Sequence, residues 1–159
     1  MKRYVHSGSD EFVIGRFEPI RNRGIFPKPH GGLWASPIDA PFGWLDWCKE
    51  NDFNTEHYLS CGFEFSLRDG SKVLDISERE EVMNLNPECF IKKPSFEDRG
   101  GYFPETVYLD YERIAEDFDA IHFEMNGWSY YAFYGWDCDT LLVLNPDSVC
   151  DVSRYSPSV

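Results

Sequence analysis

A histidine closes a short apolar run, Tyr4-Val5-His6, and is followed at once by Ser7-Gly8-Ser9, three residues that favour a turn. Further on, Lys28 to Asn51 (KPHGGLWASPIDAPFGWLDWCKEN) joins two glycines, a short apolar segment and a tryptophan-rich segment, which makes it the best candidate for a binding cleft. Trp44, Trp47 and Cys48 recur at i, i+3 and i+4, so a helix there presents one broad aromatic face. Such a face suits either core packing or the stacking of a flat ligand. Arg16, Arg21, Arg23 and Lys28 lie between the two pieces and carry enough positive charge to hold a small anion such as a pyrophosphate. Near the end, Asp137 and Asp139 flank Cys138 and precede Thr140. Neither the ligand spacing nor the nearby His pair of a metal site is present, so no metal is expected. The chain also has no GxSxG elbow, P-loop or GxGxxG fingerprint.

The elements that must position these groups follow from periodicity and turn chemistry. Tyr4 to His6 reads as a first strand, and Phe12 to Phe26 as an irregular segment. Gly31 and Gly32 permit positive φ or a close approach, Leu33-Trp34 is a brief buried strand, and Ser36-Pro37 ends it. A helix is expected from about Asp39 to Pro41 onward. Phe63, Phe65 and Leu67 alternate with polar residues as a half-buried strand, Asp69-Gly70 signals a hairpin, and Lys72 to Ile76 is the expected return. Ser77 with Glu80 makes a capping box for a helix to about Leu85, which Asn86-Pro87 stops.

Residues 88–108, with Pro94, Gly100, Gly101 and Pro104, read as a long surface loop. Asp110 caps a helix bearing Tyr111, Ile114, Ala115 and Phe118 on one face. Ala120 to Met125 and Tyr130 to Tyr134 read as strands. Leu141 to Leu144, closed by Asn145-Pro146-Asp147, reads as a central strand covered on both faces. Strands outnumber helices, and the expected class is α+β with mainly antiparallel, split β-sheets and a few short helices. Residues 1–152 are expected to form one domain and Ser153 to Val159 a loose tail.

Of 159 residues, 42% are hydrophobic and 17% aromatic, which fits a folded chain despite a net charge of -13. Residues 1–30 hold six basic and three acidic side chains, a balance of +3, and so the remainder carries -16. That acidity disfavours general DNA or RNA binding, while a basic protein partner is compatible with it. No apolar run approaches the roughly 20 residues of a membrane span, and MKRYVHSGSDE lacks a signal-peptide core, so a cytoplasmic protein is expected. The five cysteines are scattered without a CxxC pair and read as reduced, mostly buried thiols.

The order of the three pieces resembles the ADP-ribosyltransferase fold, in the branch built on a His-Tyr-Glu group. Tyr-Val-His6-Ser7-Gly8-Ser9 is similar to that family's first strand, Gly32-Leu33-Trp34-Ala35-Ser36 to its second, and Asp137 to Asp147 to its terminal strand. The resemblance implies that NAD is the substrate, that His6 binds its adenosine ribose, and that Ser7 or Gly8 clasps the nicotinamide amide through the backbone. It further implies that Trp34 and Trp44 wall the nicotinamide, that Ser36 belongs to the same motif, and that Arg21 belongs to the cationic loop facing the diphosphate. Counting back from Asn145-Pro146 puts Thr140 where the family has its catalytic Glu. Asp139 or Asp137 then supplies the carboxylate through a shift of register or a bulge. The expected activity is cleavage of the nicotinamide–ribose bond with transfer of ADP-ribose to a protein or small-molecule acceptor. The alternative is a catalytically silent binding protein on the same fold.

Overall fold

The computed structural model describes residues 1–24, 26–92 and 106–155, and it is α+β. Nine strands are named among these residues: β1 Tyr4–Ser7, β2 Leu33–Pro37, β3 Gly62–Leu67, β4 Val73–Asp75, β5 Phe90–Lys92, β6 Tyr108–Leu109, β7 Ala120–Phe123, β8 Thr140–Val143 and β9 Val149–Arg154. Five short helices accompany them: α1 Trp44–Glu50, α2 Thr55–Ser60, α3 Arg79–Met83, α4 Tyr111–Ile114 and α5 Ser129–Ala132. Seven strands form one sheet in the order β4-β7-β8-β2-β1-β3-β9, and β5 pairs with β6 separately. Every pairing is antiparallel except β4 with β7.

Strand β2 divides the sheet. Its first residues, Leu33 to Ala35, pair with β8, whereas Ser36 and Pro37 pair with Val5 and Tyr4 of β1. Beyond Val5 the two strands separate, although β1 stays on β3 through Ser7. Gly31 and Gly32 enter β2 at φ +81° and +70°. A Cβ on Gly32 would sit 2.6 Å from Leu142 Cδ1 and 2.9 Å from the Val143 carbonyl, so only glycine lets β2 close on β8 there.

The central strand β8 is buried along its whole length, as its unbroken aliphatic run implies. Leu142 and Leu144 face a core with Leu74, Ile76, Tyr111, Ile114, Phe123 and Phe133. Leu141 and Val143 face the other, with Tyr4, Leu33, Phe63, Phe65 and Val149.

Six expectations are corrected. The Asp69-Gly70 turn does not make a hairpin, because both edges of β3 are occupied, by β1 and by β9, and β4 pairs in parallel with β7 at the far side of the sheet. Ser77 does not cap α3; its hydroxyl accepts from the Glu124 amide at 2.7 Å, and the cap position falls to Glu78. Residues 130–134 are not a strand. The Asn126 side chain accepts from the amides of Trp128 and Ser129, and this starts α5 instead.

Helix α1 starts at Trp44, later than the sequence implies, because residues 38–40 are spent on a turn bonded to Arg3 and Pro37. Ser153 and Arg154 belong to β9, paired with Glu64 and Phe63, while the expected tail over 156–159 lies outside the described residues. The ends of the expected loop 88–108 form β5 and β6, and its middle also lies outside the described residues. Among the described residues no helix is long and apolar enough to cross a membrane.

Candidate functional site

Where β1 and β2 part, a cleft of about 260 Å³ opens, lined by residues of the first, second and last sequence pieces. His6, Ser7, Trp34, Ser36, Trp44, Asp137 and Thr140 all line it, so most of the residues singled out in the sequence meet there. Arg3 and Gly8 show how the backbone is aimed. The Arg3 carbonyl bonds Ile38 on the β2 side, while the Gly8 amide bonds Cys61 on the β3 side. Alternation along a strand therefore turns the N–H and C=O of Ser7 toward the departing β2. They face the opening.

His6 bridges the gap with its side chain. Its Nδ1 is 2.7 Å from the Trp34 carbonyl, which can only accept, so Nδ1 carries the proton and Nε2 the lone pair. The ring packs on Phe63, 5.0 Å between centroids. Burial holds its pKa below the ordinary value of 6.5, with the Trp34 carbonyl partly opposing that shift. At neutral pH the cleft therefore contains an uncharged imidazole.

The walls are aromatic. Trp34 is fixed by its indole N–H, which donates to the Gly31 carbonyl at 2.9 Å, and its ring meets Trp136 at 4.8 Å. Trp44 is placed by Ser36, whose hydroxyl accepts the Trp44 amide at 2.9 Å at the start of α1. Trp44 stacks on Trp47 (5.0 Å, 9°) and meets Tyr58 of α2 edge-on at 5.5 Å.

Lys28 supplies the charge. Its ammonium stands 4.8 Å over the Trp34 ring, and among the described residues it makes no ion pair. Burial lowers its pKa, an effect opposed by the nearby Asp137 carboxylate. Cys138, buried beside Thr140, has its thiol pushed up to about 11 by desolvation, so it stays protonated. The Thr140 hydroxyl donates to the Cys138 carbonyl at 2.8 Å.

Three candidates lie elsewhere. Asp139 is buried and turned away: its Oδ1 accepts the Met125 amide at 2.9 Å and its own amide bonds Phe42, so it braces the approach to β8. Gly8 has spent its amide on Cys61 and does not line the cleft. Arg21 is exposed and pairs with Glu112 at 2.9 Å, tying the loop to α4.

In the sequence Lys28 is one of four cations between the first two pieces, and Trp136, Tyr58 and Cys138 carry no signal that separates them from core residues. The Pro residues on either side of Lys28 were the available hint, since they fix the local backbone. No His/Cys/Asp/Glu cluster suited to a metal occurs among the described residues. No protein family, curated protein or solved structure matches the chain.

Proposed function

We propose that the cleft takes up NAD by its nicotinamide end and that this is an ADP-ribosyltransferase-like protein, cleaving the nicotinamide–ribose bond and passing ADP-ribose to a protein or small-molecule acceptor. One observation carries the reading: β1 and β2 splay after Val5 and Ser36, which leaves the Ser7 N–H and C=O facing an aromatic-walled opening. A primary carboxamide has one acceptor and one donor edge and matches that backbone pair, while its ring lies against indole faces. The neutral His6 and the resemblance of the three motifs support the same ligand.

Cleavage breaks the C1′–N bond, nicotinamide leaves with the electron pair, and the acceptor or water then bonds C1′ as it loses a proton. Positive charge develops on the ribose, and a carboxylate held near it stabilises that charge. Asp137 is the carboxylate that lines the cleft, so the role passes to it from Asp139. A second reading, a silent binding protein that engages NAD or a basic partner without turnover, is favoured by Thr140 at the position of the family's Glu.

Titration with NAD followed by tryptophan fluorescence, together with an assay for released nicotinamide, decides between them. Binding with release supports the enzyme, binding alone the silent protein, and no binding removes NAD from both.

A further inference from the structure

The cleft, at about 260 Å³, is smaller than the roughly 300–1,000 Å³ of pockets that enclose a whole drug-sized ligand. A dinucleotide entering it must leave one half outside. The turn at Gly135 marks where that half goes. Gly135 has φ +89°, and a Cβ there would lie 3.5 Å from Lys28 Cβ and Cδ and 3.8 Å from Phe26 Cε1. The Lys28 stem and the Phe26 ring therefore pack against one bare turn.

On the buried side of this turn Trp136 meets Trp34, with the Lys28 ammonium above Trp34. On the exposed side Tyr134 meets Phe26 edge-on at 6.3 Å, and the Arg23 guanidinium stands 5.1 Å over Phe26. Phe26 and Tyr134 are 41% and 50% exposed, so both rings can be covered by a ligand. The strip is pinned in place, because the Pro27 carbonyl accepts both the Tyr111 hydroxyl and the Trp136 indole N–H. Two cations beside an exposed aromatic pair, on a chain of net charge -13, match a stacked base followed by phosphates.

We infer that Phe26 and Tyr134, with Arg23 and Lys28, form a nucleoside-diphosphate subsite beside the cleft, the base stacked on the face of one ring and edge-on to the other, and the diphosphate between the two cations. It rests on the NAD reading for the identity of the complete ligand, of which it takes the ADP half.

Calorimetric titration of the full chain with ADP, nicotinamide mononucleotide and NAD, repeated on Phe26→Ala, Tyr134→Ala, Lys28→Met and Arg23→Gln, tests the subsite. ADP and NAD are expected to bind the two ring variants about tenfold more weakly, while nicotinamide mononucleotide, which has no second base, keeps its affinity. Lys28→Met weakens all three ligands. Arg23→Gln weakens ADP while keeping both rings, so a loss there cannot be blamed on a collapsed aromatic pair. The subsite is overturned if ADP does not bind the unaltered chain, or binds all four variants equally well. ADP binding that depends on these residues without any NAD binding removes the NAD reading and leaves the subsite. NAD binding indifferent to Phe26 and Tyr134 does the reverse.

Discussion

His6 Nδ1 donates to the Trp34 carbonyl across 2.7 Å at the place where β1 and β2 have stopped pairing through their backbones. The imidazole thus replaces a ladder hydrogen bond and holds the two strands at a fixed opening. His6→Ala leaves that carbonyl without its partner, at a cost of about 1–3 kcal/mol. The urea midpoint should fall accordingly, and His6→Asn, whose amide N–H₂ can donate, should recover part of the loss. Equal midpoints for His6→Ala and the unaltered chain would show that the bond contributes nothing.

The same residue gives stability a pH dependence of definite sign. Burial lowers the folded-state pKa of His6 below 6.5. Between the two values the unfolded chain binds a proton that the folded chain does not, so stability rises with pH. The contribution is complete above about 6.5 and is lost as pH falls toward the lowered folded value. Denaturation curves taken from neutral pH downward should therefore slope more steeply for the unaltered chain than for His6→Gln. Parallel slopes would contradict the shift.

Asp137 and Asp139 separate by variant. Asp139→Ala strands the Met125 amide inside the protein and should cost about 1–3 kcal/mol without weakening NAD binding directly. Asp137→Asn, at a partly exposed cleft position, should leave the melting temperature nearly unchanged and suppress nicotinamide release by about a hundredfold or more, on the scale of lost transition-state electrostatics. Release that survives Asp137→Asn would eliminate that carboxylate as the catalytic group.

Much of this arrangement was legible in the sequence because its signals were local. The alternation of Phe63 and Phe65, the aliphatic run of β8 and the Trp44–Cys48 spacing each specify an element without help from distant residues. What stayed hidden depends on partners far along the chain. The destination of β4 depends on β9 filling the other edge of β3, and β9 comes 80 residues or so after the turn that suggested a hairpin. Ser77 had the pattern of a cap, but the Glu124 amide, 47 positions away, claims its hydroxyl. Asp139 and Asp137 share a strand-like parity, yet a bond to Met125 turns one away while the other reaches the cleft.

Cys138 should resist alkylation. Its thiol, buried and pushed up to about 11, is almost entirely protonated at neutral pH, and the thiolate is the reactive form. Brief exposure of the native chain to iodoacetamide, read by mass spectrometry of its peptides, should modify the partly exposed Cys61 before Cys138. Denaturant should erase the difference, and equal native rates would mean that the cleft floor is open.

Gly32 tests whether the division of the sheet depends on its narrowest contact. At φ +70° an L side chain is strained, and a Cβ there would press on Leu142 Cδ1 and on the Val143 carbonyl. The Leu142 methyl can shift, but the carbonyl belongs to the β2–β8 ladder and cannot retreat without breaking pairs. Gly32→Ala should therefore cost about 2 kcal/mol or more, combining backbone strain with the clash. Gly70→Ala is the matching control: its φ of +84° carries the same kind of strain, but its Cβ meets nothing within 4 Å. The excess loss in Gly32→Ala measures the steric part, and because Trp34 lies two residues on, ligand binding should weaken in that variant alone. If both variants lose the same stability and bind alike, the close approach of β2 to β8 is not what sets the position of Trp34.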